Sequence, residues 1–197
     1  MLRSKDNFME NLKKKILKSK RIILRPMRLT DAKHYPEWFV DKQVVRFLAS
    51  NLYKMKEEKV KEYIKSVRKD KEHFLWTIIS EDNKNIGNTS LKLFPEHKRA
   101  SFGIVIGDKD YWGRGYAPEI IKILENMVFG KLKYNKFELV VYANNKSAQR
   151  TYDKVGFKRE GILKLHSWNW VDKKFCDEIM MGITRKEWLA RHKMSGR

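Results

Sequence analysis

The strongest constraint on this chain lies in the run from Phe102 to Glu119. Phe102–Ile106 is apolar, aromatic and β-branched, the composition of a buried strand. A loop from Gly107 to Gly115 follows at once, with Gly113 and Gly115 two apart. Pro118 then opens a helix whose apolar face is Ile120, Ile121, Leu124, Met127 and Val128. Glycine permits the backbone conformations that turn successive N–H groups toward one point, at the positive end of the helix dipole. A bulky anion such as pyrophosphate fits there. The run lacks the Gly-Lys-Ser/Thr ending of a Walker loop and is not a full dinucleotide fingerprint. A lone Gly-x-Gly also reads as a plain strand-to-helix turn, so other segments must decide.

The rest of the chain reads as helices early, a hairpin, two strand-to-helix units and a closing strand pair. Phe8, Leu12 and Ile16, with Met9 and Leu17 beside them, predict a short basic amphipathic helix over 1–20. Arg21–Leu24 reads as a strand ending at Arg25-Pro26. Thr30-Asp31 offers an N-cap for a helix through Trp38 and Phe39, which Pro36 breaks into two turns. Val60, Ile64 and Val67 mark another amphipathic helix. Phe74–Ile79 and Ile86–Leu93 pair as a hairpin across the turn Glu81–Asn85. Phe137–Tyr142 is a strand, and Ser147–Val155 a helix capped by Gly156. Phe157–Leu163 and Phe175–Ile183 are the closing strands. No repeat or low-complexity linker divides the chain, so the expected fold is α+β, a single mixed, largely antiparallel sheet flanked by helices.

Composition narrows the class. The chain has 197 residues, 42% hydrophobic and 12% aromatic, too apolar for disorder although 35% are charged. No run reaches the ~18 apolar residues of a membrane span. The N-terminus is studded with Lys and has no apolar core of a secretory signal, so a cytoplasmic protein is expected. One cysteine, Cys176, excludes an internal disulfide framework and a cysteine-rich zinc site, and it reads as a small strand residue. The net charge of +20 suggests nucleic acid, yet residues 1–28 carry ten Lys/Arg against two acids, and 184–197 five against one. Over half of the excess therefore sits in the two ends. A Lys-rich soluble surface accounts for the rest, and no zinc-finger spacing or RNA-binding signature accompanies it.

A second segment, Asn145-Lys-Ser-Ala148-Gln-Arg-Thr-Tyr152-Asp-Lys154-Val-Gly156-Phe157, follows the strand Phe137–Tyr142. Together with the Gly-Arg-Gly loop it resembles the GNAT superfamily of acetyl-CoA-dependent N-acetyltransferases. Ile23-Leu24-Arg25-Pro26 followed by Asp31, and Glu160-Gly161 with Asp177, are similar to the branch containing ribosomal-protein N-terminal, spermidine and some aminoglycoside acetyltransferases. The resemblance covers residues 21–189, taken as the catalytic domain, with 190–197 a basic tail. It implies that Ile104, Val105 and Ile106 pair with the pantetheine arm of acetyl-CoA. The backbone from Trp112 through Gly113, Arg114, Gly115 and Tyr116 to Ala117 would cradle the pyrophosphate. Asn145 would contact the cofactor arm, Ala148 would add a contact from the same helix, and Lys154, like Lys146 and Arg150, would meet phosphates. Tyr152 sits where many members hold the acid that protonates the leaving thiolate.

Two positions depart from the family pattern. Trp112 stands where Gln or Arg is common, and Ser101 precedes Gly103 where many members carry an acid. No general base is evident; Glu138, His166 and Asp177 qualify by type alone. The resemblance implies direct attack of an acceptor amine on the thioester, with a backbone N–H near Val105 holding the carbonyl oxygen. A free α-amine, with pKa ~7.7–8.0, is partly neutral at pH 7, whereas lysine at ~10.4 is hardly so. Peptide N-termini and small-molecule amines are the expected acceptors, polycations being disfavoured by like charge. An acetyl-CoA-binding module or a basic RNA-associated module without turnover is the alternative. Ribosome association through the basic ends and a homodimer stay open.

Overall fold

The computed structural model describes residues 9–48 and 50–194. Eight strands form: β1 (Leu17–Lys18), β2 (Ile22–Pro26), β3 (His73–Ser80), β4 (Asn85–Phe94), β5 (Arg99–Ile106), β6 (Lys136–Tyr142), β7 (Lys158–Asn169) and β8 (Lys174–Thr184). They make one sheet in the order β1-β2-β3-β4-β5-β6-β8-β7, antiparallel everywhere except between β5 and β6. The expected mixed, largely antiparallel sheet is thus the one that forms. The longer helices are α1 (Glu57–Lys69), α2 (Tyr116–Glu125), α3 (Lys146–Val155) and α4 (Arg185–Met194). No helix among the described residues is long and apolar enough to cross a membrane.

Side chains alternate across the sheet, so each face has its own core. Phe137, Leu139, Val141, Ile179, Met181 and Ile183 join Ile120, Ile121 and Leu124 of α2 and Val155 of α3 on one face. On the other face Tyr35, Trp38, Phe39, Val44 and Val45 pack against Val60 and Ile64 of α1. The two faces meet the functional region from opposite sides.

Four expectations change. Residues 9–13 are helical, but Leu17 then pairs with Leu24 in β1 and Ile16 is 52% exposed. Strand pairing buries Leu17 and satisfies its backbone, which outweighs continuing the helical stripe. Phe8 lies outside the described residues. Asp31 is no N-cap: it is buried within a 3-10 turn, Leu29–His34, accepting from the Arg28 amide at 2.7 Å and pairing with Arg25 at 2.6 Å. Pro36 then starts the separate helix Tyr35–Phe39, as its missing N–H favours. β7 runs past Leu163 to Asn169, its polar second half hidden from a hydrophobicity reading by its place at the sheet edge. Finally, α4 continues through Met194, and Arg191 reaches the buried Glu125 at 3.0 Å. Residues 190–194 are thus helix rather than tail; 195–197 lie outside the described residues.

Candidate active site

β5 and β6 are parallel neighbours for only three pairs, ending at Ser101↔Glu138. Beyond that point no ladder joins Phe102–Ile106 to Leu139–Tyr142. β5 stays paired with β4 through Ile106, and β6 with β8 through Tyr142. The sheet therefore opens as a wedge between two otherwise intact halves. Strand alternation fixes which backbone groups line it. The Gly107 amide donates to Ile86 at 2.9 Å, and a Cβ on Gly87 would lie 1.9 Å from the Val105 carbonyl oxygen. Val105 is therefore turned toward β4, while the Ile104 backbone and the Ile106 N–H face the wedge, the Ile106 carbonyl being taken by the Trp112 indole. The donor expected near Val105 is therefore not Val105 itself: its backbone belongs to the β4 ladder, and its side chain packs on the α1 face.

The loop after β5 is held from several directions. Trp112, where a longer polar side chain is common, donates its indole N–H to the Ile106 carbonyl at 2.8 Å and so ties the loop to the strand end. Gly113 and Gly115 have φ of +72° and +81°, left-handed values that suit glycine, and space beside Gly113 is open. Gly115 is the residue before α2, so the first amides of α2, at Tyr116 and Ala117, have no intrahelical partner. Arg114 is exposed, its guanidinium 5.5 Å from the Tyr111 ring.

Arg21 is the residue that the sequence reading missed here. It donates to Glu119 in the first turn of α2 at 3.0 Å and to the Arg114 carbonyl at 3.1 Å, and lies over the Tyr116 ring at 4.7 Å. Burial alone would raise the Glu119 carboxyl; bonds from Ser19 and Arg21 outweigh it and hold it below the ordinary range. Arg21 thereby offsets the carboxylate in the first turn of α2 that opposes an anion at this helix end. An acidic residue in a first helical turn was the available sign that a cation stands nearby. On the hairpin side Asp82 accepts from the Ser80 and Tyr111 hydroxyls, which pull its carboxyl down to about 2.

α3 forms the far wall. Asn145 caps it, its side-chain oxygen accepting from the Ala148 amide at 3.2 Å. These two expected cofactor contacts are thus bonded to each other, and only the amide nitrogen of the Asn145 side chain is left to donate. Lys146, Arg150 and Lys154 stand at i, i+4 and i+8, all exposed and in no ion pair among the described residues. Tyr152, half-buried on the same helix, packs edge-on against Phe102 with ring centroids 6.0 Å apart. Phe102 is the first residue past the last β5–β6 pair, so Tyr152 sits at the root of the wedge. Burial pushes its phenol up to about 12, which keeps the hydroxyl protonated.

Of the three residues named as bases by type, Glu138 and Asp177 are held by other partners. Glu138 is buried against Arg99 and Lys136. Asp177 accepts from the Leu165 amide and the Lys164 ammonium, both at 2.9 Å, which lower its carboxyl. His166 lies 3.8 Å from the buried Glu178, a residue the sequence reading passed over. Cys176 is buried in β8, its thiol 3.9 Å from the Lys174 carbonyl. A cavity of about 950 Å³ adjoins the loop at Gly107, between Trp38 and the β3–β4 turn. Its ion pairs Arg25–Asp31 and Lys109–Asp41 are internal, and it includes neither Ile104 nor Tyr152.

These residues fit a coenzyme A thioester: an unpaired strand edge suits an amide-bearing arm, free amides at Gly115–Ala117 suit a pyrophosphate, and exposed cations flank both. Residues 21–158 match the acetyltransferase (GNAT) domain family. The chain is 26% identical to the uncharacterised SPbeta prophage-derived N-acetyltransferase YokL of Bacillus subtilis, over 78% of this chain and 85% of that protein. It is 28% identical to the spermidine N(1)-acetyltransferase of Escherichia coli, over 88% and 91%. Its fold is similar to that of spermidine N-acetyltransferase from Vibrio cholerae in complex with CoA and spermine. That match has a TM-score of 0.77 at 20% identity, covering 87% of this chain and 99% of the other.

Proposed function

The chain belongs to the GNAT acetyltransferase domain family, and from that premise we propose that it acetylates an amine held in the wedge between β5 and β6. The acceptor in this reading is a peptide N-terminal α-amine or a small-molecule amine, and the location cytoplasmic. Acetyl-CoA, the donor of this family, supplies the acetyl group as an activated thioester when bound. The observation that carries the reading is the wedge itself, an unpaired strand edge opening beside a helix N-terminus. In a closed sheet Ile104 would have a strand partner.

The chain's own residues divide the work. The backbone of Ile104 and Ile106 aligns the donor arm and offers N–H groups to a carbonyl oxygen that gains charge during attack. The amides of Gly115, Tyr116 and Ala117, aided by Arg114 and the α3 cations, hold phosphate. Tyr152 keeps a proton at its hydroxyl for the departing sulfur. The E. coli relative favours a second acceptor class, a polyamine. Against it stands the charge of this chain, with 44 Lys+Arg and 24 Asp+Glu, which repels a polycation from most directions.

Titration with acetyl-CoA followed by thermal unfolding tests the donor half: saturable stabilisation is expected, and its absence would sink the reading. An acceptor screen comparing short peptides with spermidine, read by release of free thiol, then separates an enzyme from a binding module. Turnover with peptides above spermidine is expected.

A further inference from the structure

Four carboxylates are buried among the described residues: Asp31, Glu125, Glu138 and Glu178. Asp31 is paired with Arg25, Glu125 with Arg191 and Glu138 with Arg99. Glu178 has no Lys or Arg within ion-pair distance; its nearest basic group is His166 Nε2 at 3.8 Å. A largely covered carboxylate with no Lys or Arg beside it can still accept a compensating positive group. The position is also particular. Glu178 pairs in register with Tyr142, the last residue of β6, at the wide end of the wedge. Its neighbour Ile179 points into the α2/α3 core, so Glu178 faces the opposite side of the sheet, away from the glycine loop. The groups around it there are His166 from β7, Tyr142 from β6 and Cys176 two residues back on β8, with Phe47 beyond Tyr142 at 6.2 Å.

The backbone is bent to bring His166 in. The β7–β8 register shifts between Leu163 and Ser167, and Leu165 has a φ of +47° although the residue is 66% exposed. An exposed leucine gains nothing from a left-handed conformation. Asp177 holds it there by clamping the Leu165 amide and the Lys164 side chain. Such bulges re-aim side chains, and local strain of this kind is kept where it does something.

We propose that Glu178, with His166 beside it, is the site that receives the primary ammonium of the acceptor and takes its proton. The inference rests on the acetyl-transfer reading above and adds to it the side from which the amine arrives. One N–H bond of the ammonium breaks, its proton passes to the Glu178 carboxylate and on by way of solvent water to His166 and bulk solvent, and the nitrogen keeps the electron pair. The amine is then neutral on the face of the wedge opposite α2 and α3. His166, 53% exposed on its side chain, connects the buried carboxylate to water.

The full-length protein tests this with the tripeptide amide Ala-Ala-Ala-NH₂ and with spermidine, measured by calorimetry without any acetyl donor. At least one amine should bind the wild type, and Glu178→Gln should weaken it by about tenfold or more, the usual worth of a hydrogen bond to a charged group. Stabilisation by coenzyme A should be unchanged. In turnover, Glu178→Gln should raise the KM for the amine, whereas His166→Gln should keep amine affinity and lower kcat. Glu178→Asp, with the charge kept, should recover part of the affinity and stands in if Glu178→Gln does not fold. Equal amine binding by wild type and the Glu178 variants, or binding of neither amine to the wild type, would overturn the proposal. Wild type that is not stabilised by coenzyme A would instead remove the acetyl-transfer reading beneath it.

Discussion

The two faces of the wedge are built by opposite means. On the α2/α3 face the anion-accepting groups are mainly backbone amides and exposed cations, and the nearby carboxylate, Glu119, is silenced by Arg21. On the other face stands the buried carboxylate of Glu178, whose one ion-pair-distance partner among the described residues is His166. One side thus favours negative charge and the other a single positive one. A multiply charged anion and an ammonium can then approach the same opening without competing for the same groups. The donor-side groups mostly lie close together in sequence; the acceptor-side groups come from β6, β7 and β8.

Tyr152 stands at the root of the wedge on the α2/α3 face, and its loss should have the largest effect. Tyr152→Phe is expected to lower kcat by about 10²–10⁴-fold, the range for a positioned proton donor. Calorimetry should find coenzyme A affinity unaltered. Because burial lifts the phenol to about 12, the alkaline fall in wild-type kcat should come above the ordinary tyrosine value of 10.0, as the protonated form persists to higher pH. A fall below that value would show that another group supplies the proton.

Next in size is the clamp on the glycine loop. Arg21→Ala frees the Glu119 charge beside the α2 N-terminus and should weaken coenzyme A binding by roughly tenfold, from the ~1.5–3 kcal/mol of a charged hydrogen bond. Adding Glu119→Gln should restore part of that loss. No restoration in the double variant would mean that Arg21 acts on loop shape rather than on charge.

A smaller, salt-dependent change is expected from Lys146→Ser, Arg150→Ser and Lys154→Ser together. Exposed charges contribute ~0.2–1 kcal/mol each, so affinity for coenzyme A should fall by severalfold at low ionic strength and by little in ~1 M salt. An effect equal at both salt levels would separate the stripe from the donor side. The smallest effect concerns acid stability. The Asp82 carboxyl is depressed from 3.8 to about 2 in the folded chain, so its contribution is present above 3.8 and lost as pH falls from there through about 2. Asp82→Asn should show less loss of thermal midpoint than wild type across that window.

Much of the donor side was readable in the chain. The apolar run Phe102–Ile106, the Gly113 and Gly115 pair and Asn145 before α3 are local signals, since a strand, a left-handed glycine and a helix cap are each decided within a few residues. Asp31 misled because Asp next to an early helical turn usually caps it, whereas here Arg25 and Thr77 draw it into the core. Glu178 was unreadable: the strand run Phe175–Ile183 marks it as a polar position on β8, but only the β6–β8 register brings it to the end of Tyr142.

By itself the sequence determined the class of fold, the glycine turn before α2 and the helix that carries Tyr152, because backbone propensity and helix ends are short-range properties of the chain. The tertiary structure decided where the sheet splits, which carbonyls face the split, and which of four buried carboxylates is left without an arginine. Those outcomes depend on strand register and on pairings such as Arg21 with Glu119 and His166 with Glu178. Shifting a register by one residue would send each such side chain to the other face, and no local composition fixes that choice.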